Sequence, residues 1–183
     1  SYCSDITRTT AGVGEGRFAA LVQGLEQLQF RLCKTVAPGV DYVDIHRKTH
    51  LGIAALMGAA GLVSDLSDED MVAKGVTRAF FPHGIGHFLG VQVHDVAGKP
   101  VAPPADAPFL RLTRTLEPGM VVTIEPGLYF IPSLLEPLLS GPLGRHINQS
   151  LLDELQGCGG IRIEDNLMVT DSGYRNLTRE AEA

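Results

Sequence analysis

Ile161–Thr170 reads IRIEDNLMVT. Apolar and β-branched residues fill most of it, and Asp171-Ser172-Gly173 supplies a turn signal, so the run predicts a strand. The awkward member is Glu164. A carboxylate inside an apolar strand is costly to bury unless it is paired or holds a metal. The same puzzle recurs upstream. Met120–Ile124 (MVVTI) predicts a strand that closes on Glu125-Pro126-Gly127, after the turn signal Leu116-Glu117-Pro118-Gly119. Tyr2–Thr10 (YCSDITRTT) alternates and predicts another strand, with Asp5 inside it. Each acid taken singly has a plain explanation. Asp5 can pair with Arg8, Glu125 can cap a turn, and Arg162 and Glu164, two apart on one sheet face, can form an ion pair.

A second stretch adds nitrogen. Phe80–Asp95, FFPHGIGHFLGVQVHD, carries three of the six histidines: His83, His87 and His94. Gly84, Gly86 and Gly90 argue against a long helix, and the alternating VQVHD resembles a strand. Either the histidines decorate a loop or they surround something that needs imidazole. Asp5, His87, Glu125 and Glu164 together favour convergence on a common site. Carboxylates with one imidazole make a hard, oxygen-rich ligand set. It suits Mn²⁺, and less selectively Co²⁺, Fe²⁺ or Zn²⁺. A bridging Asp and Glu would hold two cations ~3.5–4 Å apart, the spacing of two-metal hydrolases.

The first half of the chain is helical in pattern. Arg17–Val36 has apolar residues at 18, 21, 22, 25, 28, 32 and 36, and Pro38-Gly39 ends it. Gly12, Gly14 and Gly16 before it predict a turn, since no P-loop lysine follows. Asp41 caps a second helix to about Ala60, with Val43, Ile45, Leu51, Ala54 and Leu56 as its buried side. His46 and His50 stand at i, i+4 on it. Such a pair can bind a metal, but Arg47 and Lys48 between them point to a solvated surface. Ser67–Asp70 fits a capping box, and residues 131–158 read as an ordered excursion. Helices precede strands, which predicts an α+β fold with an antiparallel sheet.

The 183 residues, 44% of them hydrophobic, suffice for one domain with a real core. A net charge of −6 argues against broad nucleic-acid binding. The longest weakly polar run, Leu51–Val63, is too short to span a bilayer. Cys3, Cys33 and Cys158 form no C-x-x-C pair, which points to a reduced, cytoplasmic protein. The chain opens at Ser1 already in a strand-like run, and is therefore read as a fragment of a longer protein.

YCSDITRT, FFPHGIGH, VQVHD, LEPGMVVTIEPGLYF and GGIRIEDN, in this order, resemble the catalytic domain of the pita-bread metallopeptidases, family M24. That family includes methionine aminopeptidase, aminopeptidase P and prolidase. FLRLTRTLEPGM and LYFIPSLLEPLLSGPLGRH resemble the prolidase branch. The likeness covers nearly the whole chain. It implies a curved antiparallel sheet with helices on its outer face, truncated at the N-terminus. Residues 1–183 would be part of the catalytic domain, with an N-terminal domain and a first aspartate ligand lying before Ser1. Short of that aspartate, the segment alone is expected to hold one metal weakly or none, and to be inactive.

The resemblance implies two metal ions, usually manganese. Asp5 and Glu164 would bridge them, with His87 and Glu125 as further ligands. His83 and His94 would contact substrate or shuttle protons, and Arg162 would orient Glu164. Tyr129 would stand near the substrate. Arg111 would grip a dipeptide's C-terminal carboxylate, with Arg114 its near neighbour. The implied reaction is hydrolysis of Xaa-Pro dipeptides by a metal-bridging hydroxide, in a cytoplasmic, homodimeric enzyme. His94 would stabilise the oxyanion, and Glu125 or a water would handle the proton passed to the proline nitrogen. Two other readings are phosphotriester hydrolysis at the same metals and a non-catalytic, peptide-binding pita-bread module. Neither nucleic acid nor membrane is an expected partner.

Overall fold

The structure, a computed structural model, describes residues 2–12 and 16–183. The expected glycine turn falls partly outside them, at Gly14. Helix α1 (Gly16–Cys33) buries Phe18, Leu21, Leu25, Leu28 and Leu32, the stripe that the sequence predicts. Helix α2 (Tyr42–Ala59) starts where Asp41 accepts a hydrogen bond from the Val43 amide. The two helices cross closely because glycines meet leucines. A Cβ at Gly24 would lie 2.4 Å from Leu56 Cδ1, and one at Gly52 would lie 2.3 Å from Leu28 Cδ1. Leu56 is accordingly only half-buried, seated in that notch.

Two expectations on α2 fail. Leu51 is exposed. His46 and His50 are not solvated but buried, at 4% and 6% exposure. The buried stripe of α2 runs through His46, Thr49, His50, Ile53, Ala54 and Met57, so its apolar face takes in both imidazoles and turns Leu51 outward. Short helices α3 (Asp68–Ala73) and α4 (Val76–Phe80) follow. Ser67 caps α3 by accepting from the Asp70 amide.

Strand β1 (Val121–Ile124) pairs antiparallel with β4 (Asp165–Thr170), which in turn pairs with β5 (Gly173–Asn176). A separate ladder joins β2 (Gly127–Tyr129) to β3 (Gly160–Arg162). Thus Ile161–Thr170 is not one strand, whereas β1 does end before Glu125-Pro126 as expected, and pairing resumes at Gly127 as β2. Both runs break in the middle and resume. Ile124 faces Asp165 and Gly127 faces Arg162, so Glu125-Pro126 lies opposite Ile163-Glu164. Pro126 has no amide hydrogen to continue the ladder. The break turns both glutamates out of regular pairing.

Tyr2–Thr10 alternates in burial as a strand would, but it forms no continuous ladder. Its contacts are divided. Thr7 and Glu164 exchange backbone hydrogen bonds, while the Cys3 amide donates to the Gly90 carbonyl. The VQVHD segment is not a strand either. The Gly90 amide donates to the Gln92 carbonyl, and the Asp95 side chain caps a 3-10 turn at Val96–Gly98. The 131–158 excursion holds helices α5 (Pro132–Leu139) and α6 (Gln149–Gln156), and α7 (Leu177–Glu182) packs on β4. The observed class is α+β with antiparallel pairing. Among the described residues, no helix is long and apolar enough to cross a membrane.

Candidate metal centre

The paired break in the strands sets the site. Glu125 enters from one side and Glu164 from the other, while the glycine-rich Pro82–Gly90 segment brings His87 over them. That segment packs tightly: a Cβ at Gly86 would lie 2.4 Å from the Thr123 carbonyl oxygen and from the Tyr42 hydroxyl. The His87 amide donates to Thr123 Oγ1 (3.1 Å), and the Thr123 hydroxyl donates to Glu125 Oε1 (3.4 Å). His87 Nδ1 is 2.9 Å from the Phe88 carbonyl, the geometry of a donated N–H that leaves Nε2 as the lone-pair nitrogen.

His87 Nε2 lies 3.6 Å from Asp5 Oδ2 and 3.6 Å from Glu125 Oε1. Asp5, His87 and His94 offer ligand atoms within 4.8 Å of one another, and so do His87, Glu125 and Glu164. The rings of His87 and His94 are 4.3 Å apart. All four candidate ligands of the sequence, Asp5, His87, Glu125 and Glu164, therefore meet. Their electrostatics are those of a site lacking a counter-charge. Burial, then the Glu164 carboxylate, pushes Glu125 up to about 8. Burial also raises Glu164 and lowers His87. His87 Nε2 and Glu164 Oε1 are buried without a hydrogen-bond partner among the described residues. Orphaned lone pairs on a nitrogen and a carboxylate oxygen are what a divalent cation would satisfy.

The surrounding shell is polar and ordered. Thr7 donates to Glu164 Oε2 at 2.8 Å and accepts from Arg162 Nε at 3.1 Å. Arg162 Nε is itself 3.7 Å from Glu164 Oε2. His83 Nε2 is 2.7 Å from the Tyr129 hydroxyl, and His83 Nδ1 is 3.9 Å from Glu125 Oε2. A cleft of about 650 Å³ opens above Glu125, with His83, His94, Arg111 and Arg162 in its walls. Arg111 thus faces the cleft. Arg114 does not: it lines a separate cavity of about 670 Å³ beside Phe88 and its guanidinium lies over the Phe88 ring. That cavity, the larger of the two, contains none of the four ligand candidates. Sequence reasoning missed Thr7, Thr123 and Lys99, which also lines the cleft. Isolated threonines and a loop lysine carry no motif, so only the fold could assign them.

The model of metallopeptidase family M24 matches residues 1–171. The chain belongs to metallopeptidase family M24. Family membership implies divalent metal ions, and the residues above fit them. An Xaa-Pro dipeptidase of Marinobacter nauticus is 76% identical over 99% of this chain, and one of Pectobacterium carotovorum subsp. carotovorum is 48% identical over 98%. The chain spans 42% of the length of each. Among solved structures, aminopeptidase PepP of Pseudomonas aeruginosa superposes with a TM-score of 0.73 at 30% identity, covering 97% of this chain and 35% of that one. Zinc-substituted aminopeptidase P of E. coli in complex with product superposes at 0.68 with 27% identity, covering 98% and 35%. The fold is the pita-bread fold of these M24 enzymes.

Proposed function

We propose that this chain is part of the catalytic domain of a metal-dependent hydrolase of Xaa-Pro dipeptides. One observation carries the reading: Asp5, His87, Glu125 and Glu164, from four separate segments, converge with two buried ligand atoms that have no hydrogen-bond partner among the described residues. The likeness to Xaa-Pro dipeptidases supplies the substrate class. The four residues would hold divalent ions, manganese by the oxygen-rich donor set, with a further ligand from the longer protein. When bound, the ions supply Lewis acidity and water acidified to near neutrality.

The chain's own residues do the rest. Arg111, with Lys99 nearby, takes the C-terminal carboxylate of the dipeptide in the cleft, a charge-assisted fork that favours short substrates. His94 donates to the oxygen of the scissile carbonyl as charge develops there. His83, held by Tyr129, orients the substrate beside Glu125. Glu125, or a water beside it, passes the proton to the proline nitrogen, which has none of its own. Arg162 and Thr7 fix the Glu164 carboxylate. Three scattered cysteines without a C-x-x-C pair and the net charge of −6 accord with a cytoplasmic protein without nucleic-acid partners, and dimerisation is proposed for the full-length protein.

The test uses the full-length protein, stripped with chelator and assayed on Gly-Pro with Mn²⁺ restored. Activity should return with Mn²⁺ and be absent from Glu164→Ala. Hydrolysis by the stripped protein, or by Glu164→Ala at the wild-type rate, would refute the assignment.

A further inference from the structure

Asp5 and Glu164 meet although no continuous ladder joins their segments. Thr7 and Glu164 exchange one pair of backbone hydrogen bonds there. Beside that pair stands a charged link that the mechanism does not use. Arg8 Nη1 donates to the Glu164 carbonyl at 2.9 Å, and Arg8 Nη2 lies 2.8 Å from Asp165 Oδ1. One planar guanidinium thus spans the main chain of a candidate ligand and the side chain of the next residue. The sequence offers Arg8 as a partner for Asp5. The structure turns it to Asp165 instead, because positions three apart on an extended segment point to opposite faces.

Asp165 is the fixed end of this link. Its side chain is fully buried. Asp165 Oδ2 accepts from Asn176 Nδ2 at 2.7 Å and from Arg179 Nε at 3.0 Å. Asp165 Oδ1 meets Arg8 as an ion pair rather than an aligned hydrogen bond. A carboxylate taken out of water is costly unless opposite charge compensates it, so Asp165 retains its cationic neighbours. Arg179 is anchored in turn. Its Nη2 reaches Glu26 Oε1 on α1 at 3.1 Å, and its guanidinium lies over the Phe30 ring at 4.7 Å. The α1, β4 and α7 elements therefore hold the Asp165 carboxylate, and the carboxylate holds Arg8.

We infer that Arg8 is a positioning residue for the metal centre: anchored on Asp165, it fixes the Glu164 main chain against the segment that carries Asp5, and so sets the separation of these two ligands. The inference rests on the metal-centre reading proposed above. Arg8 makes no contact with either ligand carboxylate among the described residues; it acts through the backbone. That separates it from Thr7 and Arg162, which hold the Glu164 carboxylate. On the other side of the link the Asp5 amide is 3.4 Å from Asn166 Oδ1. The segment is thus tied to Glu164 and to both residues that follow it, and Arg8 supplies the charged tie.

The experiment separates positioning from mere stabilisation. Full-length protein is chelator-stripped and titrated with Mn²⁺, the unbound ion is counted from its EPR spectrum, and the urea midpoint is measured on the same samples. Arg8→Met should weaken Mn²⁺ binding ~10-fold or more. Arg179→Met also takes a guanidinium from Asp165 but leaves the Glu164 carbonyl untouched. It should lower the urea midpoint and keep Mn²⁺ affinity within about twofold of wild type. Arg8→Lys keeps the positive charge and loses the two-armed reach of the guanidinium. It should recover the urea midpoint lost in Arg8→Met while Mn²⁺ stays ~10-fold weaker. If Arg8→Met fails to fold, Arg8→Lys decides by itself. Wild-type Mn²⁺ affinity in either Arg8 variant, or an equal loss in Arg179→Met, would overturn the inference and leave the metal centre standing. Wild-type protein that binds no Mn²⁺ would remove the metal centre and the inference together, so the two failures are told apart without any activity assay.

Discussion

Glu125 and Glu164 face each other across a shared gap in two antiparallel ladders, at the point where β1 gives way to β2 and β3 to β4. The gap is what lets two acids leave the sheet together. Gly86 closes the space above them. Gly86→Ala would drive a methyl to within 2.4 Å of the Thr123 carbonyl and the Tyr42 hydroxyl, both fixed by the hydrogen bond between them. We expect a loss of ~1–3 kcal/mol or more in urea unfolding, and displacement of His87. Wild-type stability with wild-type metal content would contradict this packing.

Thr7 couples Arg162 to Glu164 without entering the candidate ligand set. Thr7→Val keeps the shape and removes the hydroxyl. Metal affinity of the full-length protein should fall ~10–100-fold, the usual effect of losing a ligand's hydrogen-bond partner. Thr7→Ser should recover most of it. Titration calorimetry on both variants measures the difference; equal affinities for Val and wild type would count against the role.

Arg111 and Arg114 are separated by the structure, since only Arg111 faces the cleft. Arg111→Ala should raise KM for Gly-Pro about tenfold or more, as loss of a carboxylate fork costs ~1.5–3 kcal/mol. Arg114→Ala should leave KM within about twofold. The reverse ranking would place the carboxylate elsewhere.

The pH dependence of stability has a stated sign. Burial, and then the neighbouring His50, holds His46 down to about 3; burial, and then Arg78, holds His50 down to about 4. In the unfolded chain both titrate near ~6.5. Between these values the unfolded state binds protons that the folded state refuses. Stability is therefore complete above pH ~6.5 and is lost as pH falls toward 4 and 3. In chelator-stripped protein the raised Glu125 and Glu164 act in the opposite sense over the same range, so the pair is read by difference: between pH 7 and pH 5 the urea midpoint of wild type should fall relative to that of His50→Gln. Parallel midpoints in the two proteins over that range would contradict the burial of the pair.

Much of this was legible in residue order, and the exceptions have physical causes. The stripes of α1, the Asp41 and Ser67 caps and the antiparallel class follow from periodicity and capping chemistry, which are local. Three of the four ligand candidates were visible because acids in apolar runs are costly, and the fourth, His87, because it stands in a histidine-bearing glycine-rich stretch. The interruption at Ile163-Glu164 was not, because Ile161–Thr170 reads as one strand by itself and only its register against β1 and β2 shows the gap. His46 and His50 misled for a related reason: Arg47 and Lys48 between them are exposed, yet they point away from the face that the histidines share. Thr7 and Lys99 had no local signal at all.

Anomalous diffraction at the manganese edge, from crystals of the full-length protein grown with Mn²⁺, tests the centre most directly. The prediction is manganese peaks within coordination distance of Asp5, His87, Glu125 and Glu164, with His87 Nε2 as the sole nitrogen ligand of the four. Peaks bound elsewhere, or an ordered site at these residues holding only water, would contradict it.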